Sequence, residues 1–124
     1  MKIIRVALLS VIALGLVFSF AFAEGDMAKG KALFNDIKFA GGTAGKSCNS
    51  CHPDGKGLEK SAGKKEFNIM GKKQKSLEEA INFCIVNANK GKAIDTKSAD
   101  MANVVTYIKS LKEKAPAEKP METK

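Results

Sequence analysis

The chain has 124 residues and a formal net charge of +8 at pH 7, so its length suffices for one small domain and excludes two. Aromatic residues make up only 6% of the chain, and nearly all of its basic residues are lysines. Because nucleic-acid recognition favours arginine and aromatic stacking, this composition argues against a nucleic-acid partner.

The chain begins with the pattern of a secretory signal peptide. Lys2 and Arg5 form a basic start, an apolar run follows, and Ala21-Phe22-Ala23 is a small-x-small cleavage site. The pattern predicts that residues 1–23 are removed, and that the protein is periplasmic or otherwise exported, without stable membrane insertion. An uncleaved anchor is the alternative, since residues 3–23 are long enough to span a bilayer.

The segment after the signal peptide shows helical periodicity and no convincing alternation of apolar residues. Asp26 is expected to cap a first helix, with Gly30 available for close approach of another helix. The apolar positions of this helix are Met27, Leu33, Phe34 and Ile37. The glycine-rich segment 38–45 predicts a loop.

Cys48-Asn49-Ser50-Cys51-His52 has the form C-x-x-C-H, which is typical of covalent attachment of haem c. Two cysteines three positions apart can bond to the vinyl groups of one porphyrin, and His52 would supply the proximal nitrogen to the iron. One motif predicts one haem. A zinc site built from these residues and Cys84 is an alternative, although structural zinc usually draws its ligands from two separated clusters. A redox C-x-x-C is expected beside a strand–helix–strand pattern, which the sequence does not show.

Seven lysines lie in segment 56–75, which holds two acidic residues, Glu59 and Glu66. Loss of Lys2 and Arg5 with the signal peptide lowers the formal charge from +8 to +6. The segment is expected to be either a solvated surface or a face that docks acidic redox partners near an exposed haem edge. Within it, three apolar side chains are predicted to point inward: Phe67, Ile69 and Met70.

Two more helices are predicted in the second half of the chain. A capping box of Ser76 and Glu79 starts a helix that runs from Leu77 to about Asn89. Its apolar stripe consists of Leu77, Ala80, Ile81, Cys84, Ile85 and Ala88. Ser98 is expected to cap the last helix, whose apolar face consists of Met101, Val104, Val105, Ile108 and Leu111. Residues 115–124 predict a disordered charged tail.

This order of features resembles the class I c-type cytochromes. The resemblance rests on the opening helix with Gly30, on the C-x-x-C-H motif, and on the closing segment Val105-Thr106-Tyr107-Ile108-Lys109-Ser110-Leu111. It implies an all-α cytochrome c fold over residues 24–114, with three to four helices around one covalently bound haem. In that fold the first and last helices cross, and Tyr107 packs at the crossing. It further implies one-electron transfer and no substrate pocket, so the protein is predicted not to be an enzyme.

The second axial ligand of the iron has several candidates. A bis-histidine site is excluded because the chain has one histidine. In class I cytochromes the usual ligand is a methionine, at a spacing from the closing aromatic that falls here on Lys90 or Gly91. Met101 lies in the first turn of the last helix, where methionine often fills a core. Met70 follows His52 closely for a chain that must cross the haem, and Lys90 or water are further possibilities.

Cys84 is the leading candidate for the distal ligand. An odd cysteine in an exported protein indicates intermolecular pairing or a special thiol. The segment Ile81-Asn82-Phe83-Cys84 is similar to the Ile-Asn-x-Cys segment of His/Cys-ligated haem domains in thiosulfate dehydrogenases and related sulfur-oxidation cytochromes. That resemblance implies that Cys84 binds the iron, although the span between His52 and Cys84 is shorter here. A buried, inert thiol is the alternative role for Cys84, and Met101 is then the alternative ligand.

These observations predict a periplasmic monohaem c-type cytochrome that carries single electrons between redox proteins. Cys48 and Cys51 would hold the haem, His52 would bind the iron, and acidic partner proteins would dock on the lysines. The alternative is a small haem subunit or haem protein of sulfur-compound oxidation of the thiosulfate type.

Overall fold

Residues 24–114 are described by the structure, a computed structural model, and they form four α-helices and one β-hairpin. The helices are α1 (Met27–Asn35), α2 (Cys48–Cys51), α3 (Leu77–Asn87) and α4 (Ala99–Ser110), and the strands are β1 (Phe67–Ile69) and β2 (Lys72–Gln74). Among these helices, none is long and apolar enough to cross a bilayer. The predicted signal peptide and charged tail lie outside the described residues.

The three longer helices begin at the polar residues that the sequence predicts as caps. The side chains of Asp26, Ser76 and Ser98 accept hydrogen bonds of 3.0, 3.1 and 3.2 Å from backbone N–H groups in the first turns of their helices. These bonds satisfy donors that have no partner within the helix. The capping box of α3 differs from the predicted one, because the Glu79 carboxylate accepts from the N–H of Lys75 (2.8 Å).

Helices α1 and α4 cross at close range, as the resemblance to class I c-type cytochromes implies. A Cβ atom on Gly30 would overlap the backbone carbonyl of Asn103 and lie 2.9 Å from Cβ of Tyr107. The Tyr107 ring packs edge-on against Phe34, with centroids 5.1 Å apart and planes at 63°, an arrangement that aromatic pairs favour. Any side chain at position 30 would therefore push the two helices apart.

The hydrophobic core lies between α1, α3 and α4. All five residues predicted for the apolar face of α4 are buried, and so is Phe34 of α1. Two of the apolar positions named for the first helix, Met27 and Ile37, lie outside the core and are 53% and 47% exposed. Helix α1 ends at Asn35, so Ile37 lies beyond it, and Met27 occupies its first residue, outside the core.

The β-hairpin departs from the prediction of helices and loops alone. Its strands pair in antiparallel register, with Phe67 opposite Gln74 and Ile69 opposite Lys72. Met70 and Gly71 form the turn with φ angles of +51° and +76°, as two-residue hairpin turns require. Phe67 is buried as predicted, but the predicted inward orientation of Met70 is wrong, since its side chain is 82% exposed. Strands of three residues are too short to produce a readable alternation.

Candidate functional site

The C-x-x-C-H motif forms a single helical turn. Helix α2 runs from Cys48 to Cys51, and the hydroxyl of Ser50 accepts a 3.0 Å hydrogen bond from the N–H of Ser47. Residues three positions apart share one face of a helix, so both thiols lie on the same side of this turn. Cys48 is half-buried, Cys51 is exposed, and neither forms a disulfide.

His52 follows α2 directly, and its ring is oriented by a backbone carbonyl. Its Nδ1 atom lies 3.1 Å from the carbonyl oxygen of Lys56. Because a carbonyl oxygen can only accept, Nδ1 carries the proton, and Nε2 keeps the lone pair that a metal requires. A tight turn at Asp54 and Gly55, whose φ angles are +52° and +79°, brings the Lys56 carbonyl back to the His52 ring.

Cys84 lies on α3, close enough to Cys48 and Cys51 for the charges of their thiolate forms to interact. Its thiol is half-buried, and burial raises its pKa, as does the charge that Cys51 would carry as a thiolate. Burial likewise raises the pKa of Cys48 to about 11, with the charge of Cys84 adding to the effect. The fold therefore brings Cys84 near two cysteines that are distant from it in sequence, and burial favours the neutral thiol at both Cys48 and Cys84.

The two methionines considered as distal ligands occupy different environments. Met101 is 0% exposed and belongs to the hydrophobic core with Val104 and Ile108. Met70 is at the hairpin turn, with most of its side chain in solvent. Lys90 is exposed and has a left-handed backbone, with φ +55°.

Two asparagines, Asn82 and Asn89, connect the segments that carry the cysteines to neighbouring segments. The sequence alone does not predict this role for either of them. The Asn82 amide bonds both the carbonyl and the N–H of Ile94, each at 2.8 Å. It thereby ties the segment after α3 to the helix that carries Cys84. The position of Asn82 in the Ile-Asn-x-Cys segment is the sequence signal that could have indicated this role.

Asn89 connects the ends of the two cysteine-bearing segments. It is 3% exposed, and its carbonyl accepts from the N–H groups of Thr43 and Ala44 at 3.0 and 3.1 Å. Its side chain lies close to Cys48 and lowers the pKa of that thiol, which partly offsets the rise caused by burial. A buried asparagine at the end of a helix has no distinctive sequence pattern.

The donor set suits haem c better than the alternative zinc site. Two thiols on one helical turn match the chemistry of covalent haem attachment. A histidine with Nε2 available and a third sulfur nearby match axial ligation of the iron. Among residues 24–114, no group of three or more His, Cys, Asp or Glu side chains is arranged to hold a metal ion directly. Haem attachment requires no such cluster, because the cysteines bond to the porphyrin and not to the iron.

Comparison with known proteins identifies a family. Residues 29–116 match the family model described as the SoxA/TsdA cytochrome c domain, and this range contains the C-x-x-C-H motif and Cys84. Neither the curated proteins nor the solved structures contain a significant match. A cytochrome c domain implies covalently bound haem c and redox partners. The helix-rich fold, the motif on its helical turn and the family match lead to one conclusion: the chain belongs to the SoxA/TsdA cytochrome c domain family.

Proposed function

We propose that this chain is a small, exported haem c protein of sulfur-compound oxidation, which relays single electrons and does not itself catalyse the oxidation. The observation that carries the proposal is the family match over residues 29–116, because that family is named for sulfur-oxidation cytochromes. The signal-peptide pattern supports a periplasmic location. The single C-x-x-C-H motif supports one haem per chain.

In this proposal Cys48 and Cys51 attach the haem and His52 binds its iron through Nε2. A thioether carries no charge, so attachment suits the burial that disfavours a thiolate at Cys48. The hydrogen bond from His52 to the Lys56 carbonyl orients the ring and increases its basicity as a ligand. When bound, haem c supplies an iron centre that accepts and releases one electron.

Cys84 is proposed as the second axial ligand. Its support is the half-buried position of Cys84 near Cys48 and Cys51, together with the Ile-Asn-x-Cys segment. The core packing of Met101 and the exposure of Met70 make both methionines weaker candidates, because each would have to leave its present environment. Asn82 and Asn89 would keep the ligand-bearing segments in one arrangement in both oxidation states.

A carrier role, in preference to an enzymatic one, is supported by the use of the histidine. The chain has one histidine, and the proposal places it at the iron, where it is not available for acid–base catalysis. The donor and acceptor would then be other redox proteins.

The carrier role is tested with thiosulfate as the electron source. Ferric holoprotein mixed with thiosulfate and ferricyanide should show no sustained turnover, because no residue is proposed to bind thiosulfate beside the haem iron or to activate it. In a separate mixture without ferricyanide, a thiosulfate-oxidising haem enzyme with thiosulfate should reduce the protein by one electron per haem, measured in its visible absorption. The variant Cys48→Ala/Cys51→Ala, which cannot attach haem, is the control. Continuous thiosulfate oxidation by the chain alone would show that it is an enzyme. If no sulfur-oxidising donor reduces the protein, its assignment to sulfur-compound oxidation is wrong.

The lysines of segment 56–75 are proposed to dock acidic redox partners. All seven are exposed, and the ion pair within the segment, Lys73 with Glu66 at 2.8 Å, lies between exposed side chains, where such pairs are weak. Fields of this kind accelerate association roughly 10- to 1,000-fold at low salt.

Electron transfer to an acidic partner should therefore slow as ionic strength rises, since exposed charges are screened beyond about 8 to 10 Å near physiological salt. Reversal of Lys64, Lys65, Lys72 and Lys73 to glutamate should lower the association rate about tenfold or more. Reversal of Lys29, Lys31, Lys38 and Lys97, which are exposed outside the segment, changes the net charge equally and serves as control. If the association rates measured by stopped flow fall equally for both sets of variants, the lysines of segment 56–75 act only through the net charge of the protein.

A further inference from the structure

An open pocket of about 380 Å³ lies apart from the predicted haem site. Its lining comes from three separate parts of the chain: the turn at Ser61–Gly63 with the lysines that follow it, the start of α3, and the last turn of α4. None of Cys48, Cys51, His52 and Cys84 lines it. What binds there is therefore independent of the haem ligands.

The charge in this pocket is strongly positive. Lys64, Lys65, Lys75 and Lys109 line it, against one carboxylate, Glu78. Within residues 24–114 the ion pair found is Lys73 with Glu66, so none of the four lining lysines is neutralised by a carboxylate of the described chain. Four ammonium groups against one carboxylate favour a ligand that carries more than one negative charge.

The pocket also offers hydrogen-bond donors that the protein does not use. Ser61 is 7% exposed, and its hydroxyl makes no hydrogen bond to another described residue. Because no fully buried polar side-chain atom lacks a partner in this part of the chain, the hydroxyl keeps some exposure to solvent, and Ser61 lines the pocket.

The first turn of α3 adds two backbone donors. The N–H of Glu79 bonds to the Ser76 hydroxyl and that of Ala80 to the Ser76 carbonyl. The N–H groups of Leu77 and Glu78 have no partner within the helix, and both residues line the pocket. Such a helix start favours an anion through these donors and through the helix dipole.

We propose that this pocket binds a tetrahedral oxyanion of charge −2, such as sulfate or hydrogen phosphate. A tetrahedral anion presents acceptor oxygens in several directions, which suits donors that approach from a turn, a helix start and a helix end. The pocket is concave, so a small hydrated ion fits it better than the flat surface of a partner protein would. The Ser61 hydroxyl, the N–H groups of Leu77 and Glu78, and the four ammonium groups are its binding groups.

The test uses full-length holoprotein and measures binding by calorimetry and by backbone amide shifts in nuclear magnetic resonance. Sulfate and hydrogen phosphate are titrated at constant ionic strength, with chloride as the monovalent control. We expect saturable binding at one site, with the largest shifts at the amides of Ser61, Leu77 and Glu78. Saturation by only one of the two oxyanions would support the site and identify its ligand.

Matched variants separate this pocket from a general charge effect. Lys75→Gln/Lys109→Gln should weaken binding about tenfold or more, because charge-assisted hydrogen bonds are lost. Lys72→Gln/Lys73→Gln removes the same charge from the hairpin outside the pocket and should have little effect. Ser61→Ala should weaken binding, and Glu78→Gln should strengthen it by removing the opposing carboxylate. Equal weakening by both lysine pairs, equal binding of chloride, or no saturation would overturn the proposal.

Discussion

Replacing Cys84 with serine should raise the reduction potential of the haem by on the order of 100 mV or more, since axial ligands tune haem potentials over about 0.8 V. Cysteine binds metals as the thiolate, and its negative charge stabilises ferric iron. Serine removes that charge, so the ferric state loses stability relative to the ferrous one. The protein with Cys84 should accordingly lie well below the potential of His/Met cytochromes. Redox titration of the two proteins measures the difference.

The matched control for Cys84 is Met101→Leu. Leucine conserves the volume of a core methionine at a cost usually below about 1.5 kcal/mol, so a Met101 that only fills the core leaves the potential and the ferric spectrum unchanged. Low-temperature electron paramagnetic resonance distinguishes thiolate from thioether ligation in the ferric proteins. If Cys84→Ser has no effect while Met101→Leu removes the absorption band of the iron–methionine bond, Cys84 is a buried thiol and Met101 is the ligand.

Replacing both Cys48 and Cys51 with alanine should abolish covalent haem almost completely. Each thiol would form one bond to the porphyrin, and both lie on the single turn of α2. In the unchanged protein, acid–acetone extraction should leave one haem bound per chain. In the double variant, any remaining haem should be extracted, and coloured holoprotein should not accumulate.

Cys84→Ser is also the control for this second experiment. It removes a third thiol close to the other two but leaves the C-x-x-C-H motif intact, so its haem should remain covalently bound. Zinc in stoichiometric amount, with no Soret absorption in the native protein, would contradict the haem assignment and favour the zinc alternative. Haem that extraction removes from the native protein would contradict covalent attachment.

Features that depend on neighbouring residues can be predicted from the amino-acid sequence. Asp26, Ser76 and Ser98 were identified as caps because a cap requires a polar side chain within a few residues of the N–H that it satisfies. The buried face of α4 follows from helical periodicity, and Gly30 indicates a close approach of another helix because it has no Cβ atom. That the partner is the last helix was implied by the resemblance to class I c-type cytochromes. The family could likewise be read from short motifs, and the match over residues 29–116 supports that reading.

Contacts between segments that are distant in sequence could be identified only in the folded protein. Met70 was expected inside but lies at a hairpin turn, because pairing of two three-residue strands outweighed the apolar character of one side chain. Three such contacts join residues from separate elements. Cys84 lies near Cys48, Asn82 forms hydrogen bonds with Ile94, and several lysines line one pocket. The physical reason is that a long-range contact depends on how helices and loops pack, while a cap or a haem motif is complete within a few residues of chain.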